Sequence, residues 1–281
     1  MIRIITDSAA DFSAEELQQY GVSMVPLQIT FGTDAYADGV TLTPDIFWSR
    51  MMAGENPKTS QPSPDAFLTL FEEAKAAGDS VLCILLSSSL SGTVQSATLA
   101  KSMADYDDIH IVDSLQAATA EKLLVMRACQ LRDEGQLSAA EIAEALHAFS
   151  KRIKLYACLD TLDYLARGGR IPQAAATLGS LVQLKVLIRI SEDGRVALAG
   201  KGMGLHRASA AVLKLVQQHK IDPNYPVLPL YTYCPDNCLN FTKKLRQAGI
   251  DCREEDAAAV GATISTHVGP NVFGLVFVEA E

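Results

Sequence analysis

Hydroxyl groups are the chemistry this sequence concentrates. Leu86-Ser87-Ser88-Ser89-Leu90-Ser91-Gly92-Thr93 follows an apolar run, Val81-Leu82-Cys83-Ile84-Leu85, and precedes a stretch over 93–103 with Val94, Ala97 and Ala100 on one stripe. The run reads as a buried strand and the stretch as a helix. A serine-rich turn between them brings hydroxyls to the open N–H groups and positive dipole end of a helix. Gly92 lets a ligand approach the backbone. Such a junction suits an anion, phosphate or carboxylate. Serine also caps helices, so this stretch alone leaves Ser91 open between cap and ligand contact, the cap being the commoner case.

Other polar residues stand at comparable places. Thr6-Asp7-Ser8 ends a first strand that starts at Ile2, and Val112-Asp113-Ser114 ends a strand from Ile109. Open α/β sheets place ligands at these strand ends, but a polar turn capping a helix has the same residues, and Asp7 and Ser8 stay open between the two. Pro57-Lys58-Thr59-Ser60-Gln61-Pro62-Ser63-Pro64 is a proline-stiffened loop that can place a hydroxyl accurately or serve as a connector. His267 lies in Thr266-His267-Val268-Gly269-Pro270. Ser91 with His267 as base would make a hydrolase, but Leu90-Ser91-Gly92 lacks the Gly-x-Ser-x-Gly elbow and no third residue is assignable.

The bulk numbers exclude several classes. A net charge of -9 disfavours a general nucleic-acid or anionic-membrane binder. No segment has the length and uniform apolarity of a membrane span, and the chain opens on strand-like Ile2-Arg3-Ile4-Ile5 instead of a signal peptide, so a cytoplasmic location without stable membrane insertion is expected. Cys83, Cys129, Cys158, Cys234, Cys238 and Cys252 lack zinc or Cys-x-x-Cys spacing and read as core residues in a reducing compartment, with no metal site. Gly200 to Gly204 does not follow a strand in the dinucleotide pattern. Neither a Walker-type loop nor a kinase signature is present.

The 281 residues fit two lobes, expected at 1–152 and 153–281. In the first, strands at 2–6, 22–30 (with Pro26 at a bulge or edge), 81–85 and 109–114 alternate with helices. These helices are expected from Thr43-Pro44, at 65–76, at 93–103, at 117–135, and at 139–151 behind a Ser138/Glu141 capping box; Ser13 and Glu16 form another box. The segment 31–41 reads as a turn-rich loop. The alternation argues for a largely parallel sheet with helices on both faces. The second lobe reads as a strand at 154–159, a short helix broken at Gly168-Gly169, a helix-like segment at 174–187, strands around an Asp193-Gly194 turn, helices at 205–219 and 238–248, a strand at 227–233, a helix or strand at 258–267, and a closing strand at 272–278.

Taken together, Thr6-Asp7-Ser8, Thr59-Ser60-Gln61-Pro62-Ser63, Leu86-Ser87-Ser88 with Leu90-Ser91-Gly92-Thr93, Val112-Asp113-Ser114, Asp160-Thr161-Leu162 with Gly168-Gly169-Arg170-Ile171, and His267-x-Gly269-Pro270 resemble the DegV family over essentially the whole chain. Departures are Leu115 to Lys122 where the family is often glycine-rich, Lys185-Val186-Leu187-Ile188 for a Lys-Pro-Ile-Leu segment, and Asn271 for a frequent glycine. The resemblance implies two α/β lobes with largely parallel sheets and a lipid tunnel between them. It implies a non-enzymatic carrier, without cofactor or catalytic residues of its own, that binds a long-chain fatty acid and presents its carboxylate to a fatty-acid kinase catalytic subunit. Thr59, Ser91 and Gly92, with His267, would hold the carboxylate; hydroxyls and backbone N–H groups are the donors such a group needs, and an imidazolium is one further kind. Arg167 and Arg170 would face the kinase, the alternative being that Arg170 pairs with Asp160 or Asp163. An acyl hydrolase and a binder of a small phosphorylated metabolite are the rival functions. On the carrier reading, about 0.8 kcal/mol per buried methylene gives a sixteen-carbon tail roughly 12 kcal/mol gross. The tail then sets affinity and the polar cluster sets orientation.

Overall fold

Consecutive branched residues make the first sheet. The computed structural model describes residues 1–173 and 183–281. The chain divides into two compact units, Met1–Lys151 and Arg152–Glu281. In the first, β1 (Ile2–Asp7), β2 (Val22–Val25), β6 (Ser80–Leu85) and β7 (Ile109–Asp113) form a sheet in the order β2-β1-β6-β7, every pairing parallel. A strand covered on both faces must be apolar at successive positions, and Val81 to Leu85 are all fully buried. On one face, Ile5, Val81, Cys83 and Leu85 pack with Phe67, Phe71 and Ala74 of α3 (Pro64–Ala77) and Ala97, Ala100 and Ala104 of α4 (Thr93–Ala104). On the other, α5 (Thr119–Glu134) reaches β1, where Thr6 Oγ1 donates to Glu121 Oε1 at 3.4 Å. The capping box of α1 (Ala14–Tyr20) forms as expected, Ser13 Oγ accepting from Glu16 N–H and Glu16 Oε2 from Ser13 N–H. The box at Ser138 and Glu141 opens α6 (Ala139–Arg152) in the same way.

Three expectations for this unit are corrected. The strand expected over 22–30 is two, β2 and β3 (Gln28–Phe31), because the chain leaves the parallel sheet at Pro26 and enters another. The loop expected at 31–41 contains β4 (Asp34–Ala37), and the proline-rich loop contains β5 (Lys58–Ser60). These make an antiparallel sheet in the order β4-β3-β5. Helix α2 (Pro44–Met52) lies between β4 and β5 in the chain, capped by Thr43 with Pro44 in its first turn.

In the second unit, β8 (Ile153–Leu159), β9 (Leu184–Ile190), β10 (Val196–Met203), β11 (Leu228–Tyr231), β12 (Ala258–Ala259) and β13 (Phe273–Val278) lie in the order β10-β9-β8-β13-β11-β12. Only β11–β12 is parallel. The largely parallel sheet expected here is therefore corrected: Asp193-Gly194 closes a hairpin, and a hairpin makes antiparallel neighbours. The helix expected at 174–187 falls outside the described residues except for 183–187, of which Leu184 to Leu187 belong to β9. One sheet face, with Tyr156, Cys158, Leu187, Phe273, Leu275 and Phe277, packs against Ala208, Val212 and Val216 of α8 (Gly204–Val216) and Phe241 and Leu245 of α9 (Asp236–Gln247). Short helices α7 (Asp163–Arg167) and α10 (Ala262–Val268) pack together. All six cysteines carry free thiols and five are buried.

Candidate functional site

The serine turn hangs from the end of β6 and is braced from both neighbouring strands. Asp7, at the end of β1, accepts from Leu86 N–H at 2.9 Å; Asp113, at the end of β7, accepts from Ser88 N–H at 3.1 Å. Inside the turn, Ser87 C=O accepts from the N–H groups of Leu90 and Ser91 at 2.9 and 3.1 Å. Helix α4 starts at Thr93 with Gly92 as its N-cap and no side-chain cap. Ser91 is therefore not the helix cap. Its hydroxyl lies 2.8 Å from that of Thr93. A pair of hydroxyls uses one proton between them and keeps the other for an outside acceptor. The first-turn N–H groups of α4 stand beside that pair, and a negative group is favoured there by the same partial charges.

Thr59 lies on β5, paired with Ile29 of β3, and is part-buried. Two residues on, Gln61 donates from Nε2 to Ser96 Oγ at 2.9 Å. Its carboxamide lies where a Cβ at position 92 would be, so a side chain there would have to push the carboxamide aside. Gln61 thus joins the strand bearing Thr59 to the first turn of α4. The sequence contained this residue within a matched stretch without revealing its role, since nothing local links positions 61 and 92.

In the second unit, the double-glycine turn after α7 meets His267 on α10. A Cβ on Gly168 would collide with the imidazole at Nδ1. The carbonyl of the same Gly168 accepts from Arg170 Nη1. Burial, then the Arg170 charge, pushes the His267 pKa down to about 4. The ring is neutral at pH 7, so of the two forms it is the imidazole and not the imidazolium that is present. Arg170 is half-buried, and burial lowers its own pKa. Asp160 accepts from Lys185 Nζ at 2.6 Å and from Asn271 Nδ2 at 3.4 Å. Arg167 is exposed, its guanidinium 4.7 Å from the Tyr164 ring centre.

Asp7 and Glu121 are the acids that sequence reasoning could not weigh. Desolvation raises Asp7 to about 7 against the hydrogen bonds from Leu86 and Ala9, and raises Glu121 well above the carboxylate range. Among the described residues no cluster of three or more His, Cys, Asp or Glu could hold a metal, and no helix is long and apolar enough to cross a membrane.

Comparison with known proteins places this arrangement in a family. The family described as "Uncharacterised protein, DegV family" matches residues 1–280. A DegV family protein of Thermus thermophilus, whose fatty-acid binding has been characterised structurally, is 30% identical with a TM-score of 0.86, covering 99% of each chain. A stearic-acid-binding protein of Eubacterium ventriosum is 29% identical with a TM-score of 0.88, covering 99% of this chain and 98% of the other. The fatty acid kinase B3 protein of Streptococcus pneumoniae, loaded with linoleic acid, is 25% identical with a TM-score of 0.85 and full coverage of both chains. With a match running from Met1 almost to the last residue, the chain belongs to the DegV family.

Proposed function

We propose that this protein binds a long-chain fatty acid and presents its carboxylate to a separate kinase that forms the acyl phosphate. The observation that carries the reading is the start of α4, where the N-cap is a glycine, no side chain caps the helix, and the Ser91–Thr93 hydroxyl pair stands alongside. A carboxylate is an acceptor only, so it needs what this turn supplies, which is donors. Thr59, Ser91 and Gly92 are assigned to the head group, and His267 is a further head-group ligand as the family resemblance implies. Arg167, exposed, is assigned to kinase contact. Relatives that carry stearic and linoleic acid, one of them a fatty acid kinase component, support the reading. The hydrolase reading gains nothing from the site: the hydroxyl partner of Ser91 is Thr93, and a threonine hydroxyl is no general base.

Native mass spectrometry of freshly purified protein is the test. An acyl chain bound without a covalent bond is expected; an adduct on Ser91 would establish the hydrolase instead. With a fatty acid kinase added, Ser91→Ala should lose more acyl phosphate formation than palmitate affinity. Unchanged phosphorylation would remove Ser91 from the site.

A further inference from the structure

The tripeptide Thr6-Asp7-Ser8 is buried, at 0%, 1% and 9% exposure, yet the function above uses none of it. Its side chains reach in three directions. Thr6 Oγ1 donates to Glu121 of α5. Asp7 Oδ1 accepts from Ala9 N–H and Oδ2 from Leu86 N–H, both at 2.9 Å. Ser8 Oγ donates to Asp38 Oδ2 at 3.0 Å and accepts from Leu27 N–H at 3.1 Å.

Two of these partners, Leu86 and Leu27, lead toward the head-group hydroxyls: one begins the turn that bears Ser91, and the other precedes the strand paired with that of Thr59. Leu86 opens the serine turn, and the next residue, Ser87, holds Ser91 N–H through its carbonyl. Leu27 immediately precedes β3, whose Ile29 is in register with Thr59. Leu27 is further fixed because its carbonyl accepts from Asp38 N–H at 2.9 Å, and Asp38 is the residue that Ser8 holds by its carboxylate.

We infer that Asp7 and Ser8 form a positioning hub that sets the spacing between Ser91 and Thr59, Asp7 acting through Leu86 and Ser8 through Leu27. They do not touch the ligand; the inference rests on the fatty-acid reading only for what the two hydroxyls bind. A carboxylate suits the Asp7 position because two N–H donors converge on it and it accepts at both oxygens. An amide there would turn its NH2 toward one of those donors. Its charged form is opposed first by burial and then by Asp38 beyond β4, and its charge in turn opposes ionisation of Glu121 on α5 and Cys83 on β6. The two N–H bonds offset only part of this and leave the Asp7 pKa raised to about 7.

The experiment compares Asp7→Asn and Ser8→Ala with the unaltered protein by amide hydrogen exchange, and then by the carbon-13 shift of bound carboxyl-labelled palmitate. Losing one buried bond to a charged group should speed exchange at Leu86 and Ser91 in Asp7→Asn by about tenfold or more, with Leu27 and the β6 core amide Leu82 unmoved. Ser8→Ala should speed Leu27 and spare Leu86. The bound carboxyl resonance should move in Asp7→Asn, yet not move further when Asp7→Asn is added to Ser91→Ala, because the first acts through the second. Equal acceleration at Leu82 would make Asp7 a plain stability residue and overturn the inference, as would full additivity with Ser91→Ala. Should Asp7→Asn fail to fold, Ser8→Ala, which loses a single hydroxyl, decides by the Leu27 pattern. Should the unaltered protein take up no palmitate, the fatty-acid reading fails and the exchange pattern alone decides the hub.

Discussion

Acid should weaken the second unit through one imidazole. His267 falls from 6.5 to about 4 on folding, burial being the larger cause and the Arg170 charge the smaller. Between those values the unfolded chain binds a proton that the folded chain refuses, so stability is full above the unfolded value and is lost as pH falls toward the folded one. At about 1.4 kcal/mol per tenfold change the ceiling is ~3 kcal/mol, and because the residue is only part-buried, solvent screening brings the expectation to ~2 kcal/mol. The measurement is the change in unfolding free energy between about pH 7.5 and about pH 4.5, in the unaltered protein and in His267→Gln, so that all other acids cancel. Tryptophan fluorescence reads the wrong place, since Trp48, the sole tryptophan, lies on α2 in the first unit. Urea-dependent hydrogen exchange at Leu275 and Val276, fully buried on β13, reads the second. Gly168→Ala supplies a control: its Cβ displaces the ring, and the imidazole pKa should climb back toward 6.5 by nuclear magnetic resonance. If the unaltered protein and His267→Gln lose the same stability on acidification, the buried neutral imidazole described above is wrong.

Other substitutions bear on single contacts. Gly92→Ala drives a methyl into the Gln61 carboxamide and breaks its bond to Ser96; about 1–2 kcal/mol should be lost in chemical unfolding, with much of it restored by adding Gln61→Ala. Thr232, wholly buried, donates to Gly269 C=O at 2.7 Å and accepts from Val272 N–H at 3.0 Å, so Thr232→Val should cost about 1–3 kcal/mol while Thr232→Ser costs little in urea denaturation. Glu121 has a folded pKa raised well above 4.5 by desolvation. Its contribution is thus present below the unfolded value and lost as pH rises through the folded one, and Glu121→Gln should flatten that decline in a stability–pH profile; a profile identical to the parent's would place the charge elsewhere.

What could be read in advance was what neighbours in sequence decide. Alternation of strand and helix signals specified the parallel first sheet, because each signal sits within its own dozen residues, and the Ser13/Glu16 and Ser138/Glu141 boxes formed because a capping box is contained within four consecutive residues. Strand direction in the second unit is different in kind. Nothing in 153–159 states that its partners will be 184–190 and 273–278, both antiparallel, and only the Asp193-Gly194 turn hinted at one such pairing. The same limit governs the site. Ser91 and Gly92 were visible as donors at a helix start, but the capping question turned on backbone geometry at Gly92, and the group that a Cβ there would meet is Gln61, thirty-one positions earlier. Asp7 could not be told from a turn residue until Leu86, seventy-nine positions on, stood against its carboxylate. A buried acid that binds no ligand leaves little local pattern; its reason for being there is a pair of N–H groups, one from Ala9 two residues on and one that a distant strand end brings to it.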